Sequence, residues 1–343
     1  MSKEKSIPLI NHNFPFNLHA MADKYTFVPF LKDKELYTNF NFSVFLDDYC
    51  NAACKFCVAN IRCKTENRKN IFGKDYNKYL KSLDKIFAFL RPFNPTISLT
   101  GGEPTLFPAF EEVVSLINQY NFRIRAVTSN ATQLLKDNKR ILNCLIKNNW
   151  TYLNLSLPHW EQKRIEEIMM YKEKYPSSFT DLLAEVHKTI RGTCVKPRLS
   201  CVLLKEGVQS IEDCEKYVKY YNQLGYDNFI FRQLTFFNGE DTNQDIVRYN
   251  EQNVVTCEKI WQENDTQNKL TFFKRNIGYY YYVELYKYLQ NTIAFEAADL
   301  AKRTREMQKH NYKKVFETVY HPNGNLCSGW DGSKEILLNY KDL

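Results

Sequence analysis

Three cysteines within eight residues are the strongest chemical signal in this chain. Cys50, Cys54 and Cys57 follow the spacing Cys-x3-Cys-x2-Cys, and the segment supplies no fourth thiol. Thiolates spaced in this way can wrap around an iron–sulfur cube and bind three of its four irons. A structural zinc site would need a fourth ligand to close its tetrahedron. Phe56, directly before the last cysteine, offers an aromatic ring that could stack against a flat ligand beside the cluster.

A second motif follows about fifty residues later. The sequence Thr-Gly-Gly-Glu-Pro over residues 100–104 comes directly after the apolar run 96–99, which predicts a strand. Glycine has no Cβ, so Gly101 and Gly102 would let the backbone approach a ligand closely. The carboxylate of Glu103 could then receive an ammonium group. In a chain with ten cysteines the thiol spacing alone is weak evidence, and the second motif strengthens it.

Together the two motifs resemble those of the radical S-adenosylmethionine (SAM) superfamily. The resemblance implies that Cys50, Cys54 and Cys57 hold one [4Fe–4S] cluster, and that the methionyl part of SAM chelates the open iron. It implies that the segment from Gly101 to Pro104 cradles the SAM amino group. The reduced cluster would cleave SAM to a 5′-deoxyadenosyl radical, which abstracts hydrogen from a substrate. An electron donor such as flavodoxin or ferredoxin would reduce the cluster.

Composition agrees with a cytoplasmic enzyme. The 343 residues are 44% hydrophobic, which is ample for a core, and they contain no apolar run of about 18 residues that could span a membrane. The first residues are charged, without an apolar signal region. Scattered cysteines are typical of reduced thiols rather than of a disulfide framework. The net charge of +8 is spread along the chain, which favours a solvated basic surface over a nucleic-acid site.

Alternating strand and helix patterns predict the fold. Apolar or alternating runs indicate six strands, separated by helical stretches, near residues 41–46, 96–100, 122–128, 151–157, 198–204 and 227–234. Strands that alternate with helices argue for parallel βα units. We therefore expect an α/β fold, a partial (β/α)6 barrel, which is also the usual core of the resembled family. A full eight-unit barrel is the alternative, but no two further βα units are evident after residue 240.

The chain divides into three predicted regions. Residues 1–40, which hold three prolines among aromatic residues, form an N-terminal arm. Residues 41–240 form the radical SAM partial barrel. Residues 241–343 form a C-terminal extension that caps it.

In such barrels chemistry belongs at the carboxyl ends of the strands. The third predicted strand ends at Ser129 and Asn130, whose small polar groups could hold the carboxylate or ribose of SAM. On the fourth strand Asn154 and Ser156 alternate with leucines, so both polar side chains are expected to face the barrel interior. The resembled family often has an acidic residue just after this serine. Here the chain has His159 nearby instead, which is more often an ordinary loop residue.

The last two strands leave their inward-facing residues undecided. The fifth strand offers Ser200 or Cys201, and the sixth offers Arg232 or Gln233. Periodicity alone does not decide which member of each pair points inward.

The C-terminal extension gives weaker signals. Residues 250–310 are predicted to be helical, with Tyr279–Tyr282 packing against the barrel. Residues 315–327 predict a β-hairpin with an Asn-Gly turn. This hairpin resembles the entrance to the SPASM/twitch extensions of many radical SAM enzymes, where cysteines begin an auxiliary cluster. Cys327 has no nearby cysteine companions, so we expect a reduced extension without a second cluster.

Three functional readings remain open from the sequence. The first is a biosynthetic radical SAM enzyme acting on a small-molecule, nucleotide or sugar substrate. The second is a peptide-modifying radical SAM enzyme, which the SPASM-like hairpin would suit. The third is an iron–sulfur or zinc protein that binds without catalysis.

Overall fold

The computed structural model describes residues 26–62, 70–172, 178–235, 243–277, 281–298 and 300–343. In these residues thirteen strands form one mixed sheet. The strands are β1 (Phe27–Leu31), β2 (Lys34–Phe45), β3 (Thr96–Thr100), β4 (Ile124–Ser129), β5 (Tyr152–Ser156), β6 (Lys196–Leu203), β7 (Asn228–Gln233), β8 (Thr271–Ile277), β9 (Tyr281–Tyr288), β10 (Asn291–Ala298), β11 (Lys314–Tyr320), β12 (Asn325–Cys327) and β13 (Ile336–Asn339).

Ten α-helices accompany the sheet in the described part of the chain. They are α1 (Val58–Arg62), α2 (Tyr76–Leu90), α3 (Phe110–Tyr120), α4 (Lys136–Lys147), α5 (Gln162–Met169), α6 (Phe179–Ile190), α7 (Ile211–Gln223), α8 (Gln244–Asn253), α9 (Cys257–Gln267) and α10 (Leu300–Lys309).

The six predicted core strands are present and parallel. β2 to β7 lie side by side in chain order, and each pairs with the next in parallel. One or two helices connect each strand to the next, as in βα units. These strands confirm the α/β fold and the six-unit core of the partial barrel.

Alternation along the strands separates the helix-facing side of the sheet from the barrel interior. Leu153, Leu155 and Leu157 of the β5 region are fully buried in the apolar core beneath the helices. Since neighbouring side chains of a strand point to opposite faces, Asn154 and Ser156 lie on the interior side, as predicted. Polar groups are thereby directed toward the centre of the barrel.

Two additional parallel strands, β10 and β11, flank the six. The sequence predicts β11 as a strand of the hairpin but not its place beside β2, and it does not predict β10. β10 pairs in parallel with β7, and β11 pairs in parallel with β2. The sequence gives no sign of two further βα units after residue 240, and among the described residues one such unit follows, in which α10 connects β10 to β11. β10 carries a buried Asn291 and a glutamate among its apolar residues, which interrupts the pattern of a strand, and the sequence predicts a helix there. Among the described strands β10 and β11 do not pair with each other, so the barrel stays open there.

The prediction of helix over residues 250–310 is wrong for the three strands within residues 271–298. After α9 the chain forms the antiparallel strands β8, β9 and β10. Tyr281 and Tyr282 lie on β9, while Tyr279 and Tyr280 lie outside the described residues. Tyr282, Glu284 and Tyr286 share the buried face of β9. Glu284 stands where the alternating pattern of a strand would show an apolar residue, so the sequence does not indicate a strand here.

The predicted β-hairpin near the C-terminus is confirmed. β11 and β12 pair antiparallel across the turn that holds Gly324. At the other end of the described chain, β2 begins at Lys34, so the predicted boundary at residue 40 falls inside a strand. Residues 1–25 of the predicted arm lie outside the described residues. No helix in the described ranges is long and apolar enough to cross a bilayer.

Candidate functional site: a three-cysteine loop beside the Gly-Gly-Glu-Pro segment

The cysteine loop and the glycine motif lie against each other at the carboxyl edge of the parallel sheet. The loop leaves β2, and the glycines leave the neighbouring β3. The Gly102 N–H donates to the Asp47 carbonyl at 2.7 Å, and the Glu103 N–H donates to the Tyr49 carbonyl at 2.9 Å. The backbone therefore extends the β2–β3 pairing directly into the loop that carries the thiols.

Both glycines are required by this close backbone contact. A Cβ on Gly101 would lie 2.6 Å from the Asp47 carbonyl oxygen, and one on Gly102 would lie 2.1 Å from that of Tyr49. Gly101 also has a φ of +147°, which favours glycine. From the sequence, the glycines are expected to allow close approach of a ligand. The structure shows that they first allow the two loops to meet.

The three thiols are mutual electrostatic neighbours. Burial raises the pKa of Cys54 and of Cys50, and negative charge on Cys57 raises both further. Binding to cationic iron would remove these penalties, because metal replaces the proton on each thiolate. In the described ranges no three His, Cys, Asp or Glu side chains converge on a single metal ion. A cube does not require such convergence, because each thiolate binds a different iron.

The end of α5 and the residues just after it also hold the cysteine loop. The Ala53 N–H donates to the Met169 carbonyl at 3.1 Å, and the Lys172 ammonium donates to the Cys50 carbonyl at 2.7 Å. The Cys54 thiol lies 3.5 Å from the Met169 sulfur. The last carbonyls of a helix lack partners within it, so they are available to a neighbouring loop. These contacts span more than a hundred residues, and no sequence signal predicts them.

A polar network joins the cysteine loop to the end of β4. Asn130 Nδ2 donates to Asn51 Oδ1 at 2.9 Å, and Asn51 Nδ2 donates to the Thr132 hydroxyl at 3.0 Å. The same hydroxyl donates to Asn130 Oδ1 at 2.7 Å, which closes the ring of three side chains. The predicted site residue Asn130 therefore orients the loop between two cysteines, and Asn51 and Thr132 join the site.

Glu103 lies at the centre of the site and is nearly fully buried. Its Oε1 accepts from the Thr105 N–H at 3.2 Å, the Thr105 hydroxyl at 2.5 Å and the Ser129 hydroxyl at 2.8 Å. Its Oε2 accepts only the Asn130 N–H among the described residues. Each carboxylate oxygen offers about two acceptor sites, so Oε2 can take one more donor. An ammonium group is a suitable donor.

The electrostatics of Glu103 also favour a cationic ligand. Burial raises its pKa, while the hydrogen bonds from Asn130, Thr105 and Ser129 oppose that shift. A positive charge nearby would stabilise the ionised form further. Glu103 also begins the short 3₁₀ helix Pro104–Leu106, where Pro104 is buried. The residue therefore combines a local structural role with an open acceptor position.

The structure brings most but not all of the predicted cofactor residues together. Glu103, Ser129 and Asn130 contact one another directly. Ser156 lies on the adjacent strand β5 on the interior face and is half-buried. Phe56 packs against a small apolar cluster of Ile168, Leu204 and Leu234. Leu204 directly follows β6, and Leu234 directly follows β7. That packing fixes the ring beside the last cysteine.

His159 has a structural position. Its ring stacks on Trp160 with centroids 3.9 Å apart, and its Nδ1 accepts the Glu161 N–H at 3.0 Å. The Tyr221 hydroxyl donates to its carbonyl at 2.8 Å. Burial lowers the pKa of the imidazole. His159 thus anchors the chain before α5, which in turn supports the cysteine loop.

The structure decides both undecided strand positions. Cys201 is buried in the helix-facing core, so Ser200 faces the interior. Gln233 accepts the Cys257 N–H at 2.9 Å on the helix side, so Arg232 faces the interior. There Arg232 Nη1 lies 3.7 Å from Glu296 Oε1 on β10.

Parallel βα units with a three-thiol loop at their carboxyl edge place this protein in the class of α/β barrels, with a candidate iron–sulfur site at the strand ends. Comparison with known proteins then identifies the domain that carries the site. Residues 46–199, which contain both motifs, match the sequence model of the radical SAM superfamily. This part of the chain is a radical SAM domain, the kind of domain whose cofactors are SAM and a [4Fe–4S] cluster.

Individual relatives cover parts of the chain. A GTP 3′,8-cyclase from Synechocystis sp. is 30% identical over 125 residues, which make up 36% of this chain and 35% of the cyclase. SuiB from Streptococcus suis, solved with S-adenosylmethionine bound, aligns with a TM-score of 0.53 and 17% identity. That alignment covers 86% of this chain and 61% of SuiB. The likeness to SuiB concerns the fold, and this chain spans only about a third of the length of the cyclase.

Proposed function

We propose that this enzyme cleaves SAM reductively at a single [4Fe–4S] cluster and uses the resulting radical to abstract hydrogen from a small-molecule substrate, such as a nucleotide or sugar. Cys50, Cys54 and Cys57 would bind three irons. The ammonium of SAM would lie at Oε2 of Glu103, near Ser129. The observation that carries this assignment is the direct backbone pairing of the thiol loop with the Gly-Gly-Glu segment.

The choice of a small-molecule substrate has separate support. The cyclase relative is named for an action on GTP, and it is 30% identical over 125 residues. The interior of the barrel is lined with polar side chains, including Asn154, Ser200 and Arg232, which suit a polar substrate. Ser156 completes this polar lining near the proposed SAM site. The reductant would be a small electron-transfer protein such as flavodoxin or ferredoxin.

Product analysis tests the proposed reaction. The enzyme is reconstituted anaerobically with iron and sulfide, reduced with dithionite and incubated with SAM. We expect 5′-deoxyadenosine and methionine in equal amounts, and no 5′-deoxyadenosine from the Cys54→Ala variant. Release of 5′-deoxyadenosine at the same rate by both proteins, or by neither, would contradict the proposal.

A further inference from the structure

Three charged side chains project into the barrel interior from adjacent strands. Arg198 lies on β6, Arg232 on β7 and Glu296 on β10. Their chain neighbours, including Leu199, Phe231 and Phe295, are buried in the helix-facing core. Because side chains alternate along a strand, the charged residues face the opposite side. The register pairs Arg232 directly with Glu296.

Hydrogen bonds connect Arg198 to the proposed SAM site. Arg198 Nε donates to Asn154 Oδ1 at 2.9 Å, and Asn154 Nδ2 donates to the Thr128 hydroxyl at 3.2 Å. Thr128 directly precedes Ser129. The guanidinium also lies over the Tyr152 ring, 4.5 Å from its centroid. Arg198 is thus held in one orientation, at the strand level just below the SAM site.

The positive charge in this cluster exceeds the negative charge. Burial lowers the pKa of Arg198, the positive charge of Arg232 lowers it further, and the carboxylate of Glu296 opposes that shift, so the three groups act on one another electrostatically. Glu296 Oε1 lies 3.7 Å from Arg232 Nη1, and the cluster of three holds two cations and one anion. Arg232 Nε is buried without a hydrogen-bond partner among the described residues. Arg198 has one hydrogen bond in that part of the chain, made by its Nε, so its terminal nitrogens are available. Arg198 and Arg232 are both partly buried, and an anion bound between them would offset the repulsion of their like charges.

We propose that Arg198 and Arg232 bind an anionic group of the substrate, a carboxylate or a phosphate, inside the barrel. Guanidinium groups present several donors in a plane and match both oxyanions in shape. Glu296 neutralises one of the two cations and so limits the affinity. The inference deepens the proposed function and rests on it, because it gives the substrate's chemical class. The same three residues would exclude an uncharged substrate from this position.

Calorimetric titration tests the site without knowledge of the substrate. The enzyme loaded with cluster and SAM is titrated with inorganic pyrophosphate and, separately, with succinate. We expect at least one to bind, and the tighter one identifies phosphate or carboxylate as the group recognised. Arg232→Gln should weaken this binding about tenfold to a hundredfold, the usual effect of losing a charged hydrogen bond. Glu296→Gln should strengthen it, because the competing negative charge is removed.

A control variant and a second measurement distinguish loss of the anion site from misfolding and from failure of SAM cleavage. Arg164→Gln on the surface of α5, half-exposed and paired with Glu167, should leave the affinities unchanged. A misfolded variant would not bind more tightly, so the gain from Glu296→Gln identifies an electrostatic site. Failure of both anions to bind, or equal affinity in all variants, would overturn the inference. SAM cleavage by the wild-type enzyme is measured in parallel, so that a failure of the proposed reaction is recognised separately.

Discussion

The backbone N–H of Asn130 donates to the carboxylate of Glu103 at 2.7 Å, and this bond joins the carboxyl ends of β3 and β4. Asn130 also donates from its side chain to Asn51 in the cysteine loop. Three segments that are far apart in sequence therefore meet at one buried carboxylate. A change at Glu103 is expected to affect both the local structure and the binding of a cationic ligand.

Replacement of Glu103 by Gln should weaken SAM binding about tenfold to a hundredfold. The carboxylate would contribute a charge-assisted hydrogen bond to the SAM ammonium, worth roughly 1.5–3 kcal/mol. The amide of Gln would also place a donor against one of the present donors, so the free energy of unfolding should fall by about 1–3 kcal/mol. The cluster should survive because no thiolate is changed. Titration calorimetry and a melting curve measure the two effects.

Glu112→Gln is a suitable control for that experiment, because Glu112 is an exposed residue of α3. It should change neither SAM affinity nor stability. If Glu103→Gln lowered the melting temperature while SAM affinity stayed at the wild-type value, Glu103 would have only its capping role at Thr105.

Single replacement of Cys50, Cys54 or Cys57 by Ala should abolish the absorption of the reconstituted cluster and all SAM cleavage. Three thiolates are the least that would hold the cube and leave one iron open to SAM. Cys194→Ala is the matched control, because this thiol is exposed and lies outside the loop. Absorption spectra and product analysis provide the measurements. Four irons per chain in a variant that lacks all three loop cysteines would show that the cluster binds elsewhere.

Iron analysis should give about four irons per chain, the content of one cubane cluster. Cys327 is fully buried in β12, between β11 and β13, in a position set by sheet pairing. Cys327→Ala should therefore leave the iron content unchanged and lower stability slightly through the small cavity it creates. About eight irons per chain, reduced to about four in this variant, would instead place an auxiliary cluster in the C-terminal extension.

The sequence predicts local patterns well in this protein. The six core strands are short apolar or alternating segments, with phenylalanine prominent in β2 and β7, and helices separate them along the chain. The structure keeps this alternation of strand and helix. The thiol and glycine motifs occupy the ends of β2 and β3, where strand order alone places them. The Asn-Gly turn likewise identifies the β11–β12 hairpin from adjacent residues.

The features that the sequence does not predict arise from contacts between segments far apart in the chain. The support of the cysteine loop by Met169 and Lys172 follows from the position of α5 over the barrel, which no local pattern encodes. The sequence does not predict β9 as a strand, because Glu284 occupies one of its buried positions. Hydrogen bonds from Arg275, Tyr282 and Tyr286 satisfy the carboxylate there. From the sequence pattern alone, a charged residue such as Glu284 is expected to be exposed. Its hydrogen-bond partners in the sheet allow it to be buried instead.

The buried imidazole of His159 should make stability depend on pH. Burial lowers its pKa below the ordinary value of 6.5, so the unfolded chain binds its proton more readily than the folded chain. The neutral ring therefore contributes stability above about pH 6.5, and this contribution is lost as the pH falls below that value and through the lowered pKa of the folded protein. His159→Asn keeps an oxygen that can accept the Glu161 N–H but does not titrate. Between about pH 7.5 and 5.5, its melting temperature should fall less than that of the wild type.

The comparison variant for this measurement is His310→Asn, on a partly exposed histidine at the end of α10. It should keep the wild-type dependence of melting temperature on pH, because it leaves the ring between Trp160 and the Glu161 N–H in place. Differential scanning calorimetry of the three proteins at matched ionic strength gives the curves. Parallel curves for wild type and His159→Asn would show that the folded protein tolerates the charged imidazole, and the assignment of a neutral, structural His159 would then be incorrect.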